Sequence, residues 1–390
     1  MEEIMNVYIN TQGAKIIREG RHLLVKKGDG VYHTLFTYKL KQLLIFGNIE
    51  VTHPAMCQLM KNNIDVVFLS QTGRYLGRLA TPESKNVFLH KRQYRLIDDE
   101  AFCLRFSKNI VSGKLSNMAT LLMRIKRTRN AHEPSEKARE IQNLLKLVES
   151  ALSVDSVRGY EGRGSAVYFS AFSKGFIEPQ EFTKRVRRPP TDPVNAVLSL
   201  TYTFLMNRVY AAVRVAGLDP YPGFLHKIDY GRYSLVLDLM EEFRPIIADT
   251  LTLSLFNLKI LKPSDFIRET PGKPSENDIE TTGIPDVTLD PIGNISIQPM
   301  ETAELFDLPE QRMDESSVSP GQQTGKQPVK LVREAFSRTI DAFEKKMTTS
   351  FFHGPAEREL TYTEALIFQA AQCRKVIEGE VEVYQPILLK

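Results

Sequence analysis

The stretch IVSGKLSNMATLLMRIKR, Ile110 to Arg127, decides how this 390-residue chain is built. Its apolar residues fall three and four apart, the spacing of one helical face. Everything before it reads differently. NVYIN, AKIIRE, HLLVKK, QLLIFG and DVVFLS are short β-branched or apolar runs divided by Gly, Asn, Asp and Lys turns, with one short helix expected at HPAMCQLMKNN. Everything after it stays helical: SEKAREIQNLLKLVESAL, a segment opening near VRGYEGRGSAVYFSAF, and DPVNAVLSLTYTFLMNRVYAAVRVAGLDP. In the last, Asp192 is placed to cap, Pro193 to occupy the first helical position and Gly217 to close. A further helix, YSLVLDLMEEFRPIIADTLTLSLFNL, should bend at Pro245. The fold class is therefore α+β: a mainly-β domain over residues 1–98, then an all-α domain over 99–390. A Pro-, Ser- and acid-rich insertion without helical period interrupts the latter at about 270–330. Helices resume at LVREAFSRTIDAFEKKM and TYTEALIFQAAQCRKVIEG.

Length allows two domains with real cores. No apolar run of about 18 residues occurs, so no membrane span is expected. The start, MEEIMNVYINTQG, does not read as a signal peptide. Cys57, Cys103 and Cys373 are odd in number and lack CxxC spacing, which points to a reducing compartment, the cytoplasm, and away from structural zinc. The net charge of +4 conceals an asymmetry. Glu276 to Glu315 carries eleven acids against the single base Arg312, a charge of −10, so the remainder carries +14. From Ala101 to His132 there is no acid, whereas Arg105, Lys108, Lys114, Arg124, Lys126, Arg127 and Arg129 all occur. Such clustering suits a polyanion, and KRVRRPP, with Lys184, Arg185, Arg187 and Arg188, is a second basic run that either grips phosphates or links two helices.

One segment combines an imidazole with acids in an apolar setting: GFLHKIDYGRYSLVLDLMEEFRP, Gly223 to Pro245. Asp238 and Glu241, three apart, share a helix face. His226 lies in the turn before them, and Glu161 on another helix could reach the same place. Two or three carboxylates with one imidazole suit a hard divalent cation, Mg²⁺ or Mn²⁺. A structural reading stands beside this one. Glu161 could serve the helix dipole, His226 could bond locally in its turn, and the acids could line a solvated face. His22, His33, His53, His90, His132 and His353 show no ligand spacing, and neither a phosphate loop nor a GxSxG elbow is present.

The segments GYEGRGSAVYF, DPVNAVLSLTYTFL, GLDPYPGFLH and SLVLDLMEEFRP, in this order and spacing, resemble those of the CRISPR spacer-acquisition integrase family. YINTQGAKIIREGRHLLV and KRQYRL extend the likeness into the N-terminal half. The resemblance implies a metal-dependent DNA endonuclease and integrase. It would insert short DNA duplexes into a CRISPR array through attack of a 3′-hydroxyl on a phosphodiester. It implies metal ligands at Glu161, His226 and Glu241, a second acid near the metal at Asp238, and a pocket lined by Asn195 and Tyr202. Glu242 matches nothing in the family and is expected to be exposed. Double-stranded DNA, a second copy of the chain, paired through the β domain, and a small ferredoxin-like CRISPR-associated subunit are the implied partners. A structure-specific repair nuclease that does not join strands, and a DNA-binding scaffold without catalysis, are the rival readings.

Overall fold

The computed structural model describes residues 5–28, 30–70, 75–79, 86–129, 131–186, 189–268, 286–289, 295–298 and 327–389. In the N-terminal part, β1 (Met5–Ile9), β2 (Lys15–Glu19), β3 (His22–Lys27), β4 (Gly30–Phe36), β5 (Leu40–Phe46) and β6 (Glu50–Val51) precede α1 (His53–Lys61). Then come β7 (Asp65–Leu69) and β8 (Tyr75–Leu79). They form two four-stranded sheets, ordered β1-β5-β7-β8 and β4-β3-β2-β6. In the first, β1, β5 and β7 are parallel and β8 is antiparallel.

β5 and β7 in the middle of the first sheet are buried on both faces, which is why LLIF and VVFL read as unbroken apolar runs. Alternation along β5 sends Leu43 and Ile45 into the core between the sheets, with Ile16, Leu23 and Val66. Leu44 and Phe46 point the other way, into the core of the helical body, as do Val67 and Leu69 of β7. A one-residue slip of β5 would exchange the two sets, so both cores fix its register.

The helical body comprises α2 (Val87–Ile97), α3 (Glu100–Arg129), α4 (Glu133–Ser150), α5 (Val154–Phe172), α6 (Pro193–Val215), α7 (Ser234–Met240) and α8 (Thr250–Asn257). After these come β9 (Phe266–Arg268), β10 (Asp286–Leu289), β11 (Ile295–Gln298), β12 (Val329–Leu331), α9 (Arg333–Met347), β13 (Ser350–His353), β14 (Arg358–Thr361) and α10 (Tyr362–Glu378). Three small antiparallel ladders, β9–β12, β10–β11 and β13–β14, thus accompany the helices. Apart from β10, β11 and its C-terminal end, the insertion expected at 270–330 lies outside the described residues.

α6 begins as its sequence dictates: the Asp192 side chain accepts the Asn195 N–H at 2.9 Å, Pro193 follows, and Gly217 closes with φ +76°. α2, which falls within the expected β domain, packs on the helical body, where its Gln93 donates to the Asp219 carbonyl at 3.1 Å. The expected bent helix across Pro245 is instead three pieces. α7 ends at Met240, one π-helical turn spans Arg244–Asp249, and α8 follows. Pro245 lacks the N–H an α-helix requires, and the wider turn absorbs the defect.

The two parts meet over a cluster of rings. Phe46 lies edge-on to Phe204 of α6 at 6.1 Å and to Phe336 of α9 at 5.0 Å. Beside them Tyr8 donates a hydrogen bond to Glu344, which also pairs with the buried Arg208. Burying rings of this size contributes about 1.5–3 kcal/mol each, so the β part is firmly seated.

Candidate active site

Four elements bring one buried polar cluster together. Gly164 sets the approach of α5 to α3, because a Cβ there would overlap the Leu115 side chain. Lys114 and Glu161 therefore stand side by side in an ion pair. Ser165, one turn along α5, donates to the same Glu161 oxygen at 2.9 Å. Lys114 Nζ also lies 2.7 Å from Glu241 Oε2, at the end of α7. All three charged side chains are buried.

His226 arrives from the loop before α7, and Asp238 holds it there. Oδ2 of Asp238 accepts the backbone N–H groups of Phe224 at 2.6 Å and Leu225 at 3.0 Å. Its Oδ1 accepts the His226 N–H at 3.0 Å and faces His226 Nδ1 at 2.7 Å. The loop reaches the helix this closely because residue 223 is glycine: a Cβ would sit 2.6 Å from Ser234 Cβ and 3.0 Å from Asp238 Oδ2. A carboxylate only accepts, so Nδ1 carries a proton, and whenever the ring is neutral its lone pair is on Nε2. That nitrogen is 3.9 Å from Glu241 Oε1.

The π turn completes the cluster. Arg244 Nε lies 3.1 Å from Glu241 Oε1, and its guanidinium sits 4.9 Å from the centre of the Tyr202 ring. The Tyr202 hydroxyl donates to Asp249 Oδ1 at 2.6 Å, and Tyr168 donates to Oδ2 at 2.8 Å. Burial pushes the Asp249 carboxyl up to about 6, against the pull of both hydroxyls.

Of the residues singled out in the sequence, Glu161, Glu241, His226 and Asp238 are brought together. Asp238 is turned toward the loop, with both oxygens engaged, and acts on His226 rather than beside it. Tyr202 reaches the cluster through Arg244. Asn195 does not reach it by any hydrogen bond it makes. Its Oδ1 accepts from Arg185 at 2.8 Å and from the Val186 N–H at 2.9 Å, and its Nδ2 donates to the Lys184 carbonyl and to Asp192. It pins the basic segment to α6, and its partner Arg185 sits 5.4 Å from the centre of the Tyr202 ring.

Two expectations are corrected. Lys114 is not a DNA contact: its side chain is 3% exposed and ion-paired with two carboxylates. Glu242 is not exposed but fully buried, accepting hydrogen bonds from Tyr384, Gln369 and the Ile387 N–H. Burial raises its carboxyl to about 7, although these three donors oppose the rise. Of the other basic residues, Arg105, Lys126, Arg127 and Lys184 are exposed, and Arg124 is half-buried. Lys108 and Arg129 donate to the carbonyls of Glu149 and Gly175. Arg185 is held inward by Asn195 and Ser199, and Arg187 and Arg188 lie outside the described residues. Lys114, Ser165 and Arg244 are the site residues that charge patterning missed. For Lys114 a signal existed, since it shares the three-four stripe of Ile110, Val111, Leu115 and Met118.

Among the described residues, no three His, Cys, Asp or Glu side chains already surround one point as a cation cage. The space between the Glu161 and Glu241 carboxylates is held by the Lys114 ammonium. The donor set nevertheless fits a divalent ion: two carboxylates already share a positive charge there, and an imidazole lone pair stands near one of them.

This architecture is that of solved Cas1 structures and of a casposase. A Cas1 protein from Thermotoga maritima superposes with a TM-score of 0.72 at 19% identity, covering 97% of this chain and 99% of that one. A casposase bound to integration product gives 0.74 at 19% identity, covering 97% and 92%. At these identities the likeness speaks for the fold. Sequence carries the family: residues 7–273 match "CRISPR associated protein Cas1". The CRISPR-associated endonuclease Cas1 3 of Thermus thermophilus is 30% identical over 386 residues, covering 98% of this chain and 97% of its own. Cas1 2 of Rhodospirillum rubrum is 34% identical over 281 residues, covering 69% and 80%. The chain belongs to the Cas1 family of CRISPR-associated endonucleases. Among the described residues no helix is long and apolar enough to cross a membrane.

Proposed function

We propose that this protein is a metal-dependent DNA endonuclease and integrase of CRISPR adaptation, joining the 3′-hydroxyl of a short duplex to the edge of a CRISPR repeat. The observation that supports this reading is the convergence of Glu161 and Glu241 on the Lys114 ammonium, with His226 Nε2 3.9 Å from Glu241 Oε1. Glu161 and Glu241 would hold Mg²⁺ or Mn²⁺ with His226 Nε2. Bound there, the ion supplies a Lewis acid that polarises the phosphoryl group and stabilises charge on the entering and leaving oxygens.

The chain's own residues perform the rest. Asp238 keeps the proton on His226 Nδ1, so that Nε2 remains a donor to the metal. Arg244 orients Glu241, with Tyr202 behind it. The exposed Arg105, Lys126, Arg127 and Lys184 hold DNA backbones with little regard to sequence. In the joining step a new P–O bond forms to the incoming 3′-oxygen, and the P–O bond to the 3′-oxygen of the nucleotide flanking the repeat breaks. The proton passes from the attacking hydroxyl to the leaving one, directly or through solvent. Phosphodiester number is conserved, so positioning and electrostatics suffice.

A solved Cas6-RT-Cas1–Cas2 complex contains a chain whose fold matches this one with a TM-score of 0.75 at 23% identity, over 36% of that longer chain. This supports a Cas2-type subunit as partner. We further take that subunit to be small and ferredoxin-like and the protein itself to act as a dimer in the cytoplasm. Incubation with that subunit, Mn²⁺, a 3′-hydroxyl duplex and a supercoiled repeat plasmid tests the reading. Strand joining is expected. Cutting without joining would indicate a structure-specific nuclease, and binding alone a scaffold.

A further inference from the structure

We propose that Lys114 is a place-holding counter-ion that the divalent metal must displace, so that loading the site exchanges one cation for another. The inference rests on the metal-binding reading above and deepens it.

The geometry is that of a substitute ion. Lys114 comes from α3, Glu161 from α5 and Glu241 from the end of α7, and the ammonium pairs with both carboxylates. Two carboxylates facing one another away from water repel unless a cation lies between them, and stripping a buried pair of its partner is costly. An ammonium nitrogen 2.7 Å from Glu241 Oε2 occupies the room a metal would need to bind the same oxygen at about 2.0–2.2 Å.

Charge makes the same point. An ammonium and a divalent ion placed together in the buried gap between Glu161 and Glu241 would repel one another strongly, so exchange is favoured over addition. The metal-free protein keeps its donors assembled, and metal affinity is lowered by the work of expelling the ammonium.

The test is Mn²⁺ binding by calorimetry to the full chain, with the metal-free unfolding temperature measured alongside, for wild type, Lys114→Met, Lys114→Arg and Glu161→Ala. Lys114→Met is expected to melt lower without metal, to regain stability with Mn²⁺, and to bind Mn²⁺ about tenfold or more tighter than wild type. Lys114→Arg, which keeps the charge, should show no such gain. A folded Lys114→Met with unchanged or weaker Mn²⁺ affinity overturns the exchange while leaving Glu161-dependent metal binding intact. Wild type showing no Mn²⁺ binding that Glu161→Ala removes overturns the metal reading and the exchange together. A measurement on the unaltered chain guards against misfolding of the variant. Amine acetylation of Lys114, followed by mass spectrometry, should rise when Mn²⁺ is added, and labelling indifferent to Mn²⁺ counts against displacement.

Discussion

The imidazole of His226 and the carboxylate of Asp238 meet at 2.7 Å between Nδ1 and Oδ1, while the same carboxylate gathers three backbone N–H groups of the loop that carries the histidine. One acid thus shapes the loop and selects the tautomer. Asp238→Asn should lower strand joining and Mn²⁺ affinity about 10–100-fold, as loss of a partner behind a metal-bound histidine typically does. DNA binding by gel shift should be unchanged. Full Mn²⁺ affinity in a folded Asp238→Asn would reduce Asp238 to a loop anchor.

Glu161→Ala and His226→Ala should each abolish joining and leave duplex affinity within about twofold of wild type, since neither faces the exposed basic surface. Equal loss of binding in both would show that the cluster supports the DNA-binding surface rather than the chemistry.

The exposed cations of α3 carry a different signature. Lys126→Ala and Arg127→Ala should each reduce the slope of log K against log salt for duplex binding by about 0.9. An unaltered slope in the double variant would place the DNA elsewhere.

Glu242 ties the end of the chain into the core, together with Asn117, whose Nδ2 donates to the carbonyls of Glu242 and Ile387 at 2.9 Å. Glu242→Ala leaves two buried donors, the Tyr384 hydroxyl and the Ile387 N–H, without that acceptor, while Gln369 keeps Tyr384 and the Gln385 carbonyl. Unpaired buried groups cost about 1–3 kcal/mol each. Loss of about 3 kcal/mol in urea unfolding is expected, with faster amide exchange over residues 384–389. Exchange accelerated evenly throughout the chain would contradict a local anchor.

His353 on β13 is fully buried, its Nδ1 accepting the Ala356 N–H at 3.1 Å, and burial drives its pKa from 6.5 to about 4. The unfolded chain therefore binds the proton first. Stability from this residue is complete above pH 6.5 and is lost as pH falls toward 4, by up to about 3 kcal/mol. His353→Gln should flatten that part of the pH–stability curve, read as the difference between variant and wild type. Parallel curves would mean that His353 stays solvated.

Most of the helices and five of the strands were legible in the sequence, because period and caps are local signals, whereas the grouping of Glu161, His226, Asp238 and Glu241 came from the resemblance, since spacing alone left a structural reading open. Lys114 and Glu242 were misread for one reason: charge was taken to mean exposure. Both stand in apolar stripes, and only tertiary partners, two carboxylates for one and the C-terminal segment for the other, show why a charge is tolerated there. The break of α7 at the π turn was hidden because Pro245 announces a defect without saying how it is absorbed. β4 and β8 were passed over because VYHTLF and YLGRL alternate weakly and follow turn residues closely.

The pairing of β9 with β12 has a last implication. Phe266 lies opposite Leu331 and Arg268 opposite Val329, so the chain leaves the helical body and returns to it at adjoining points. Closing such an excursion costs only about 0.6 kcal/mol for each doubling of its length. Evolution can therefore lengthen, shorten or recharge whatever departs there at little cost to the body it leaves, which makes this doorway a natural place for relatives to diverge.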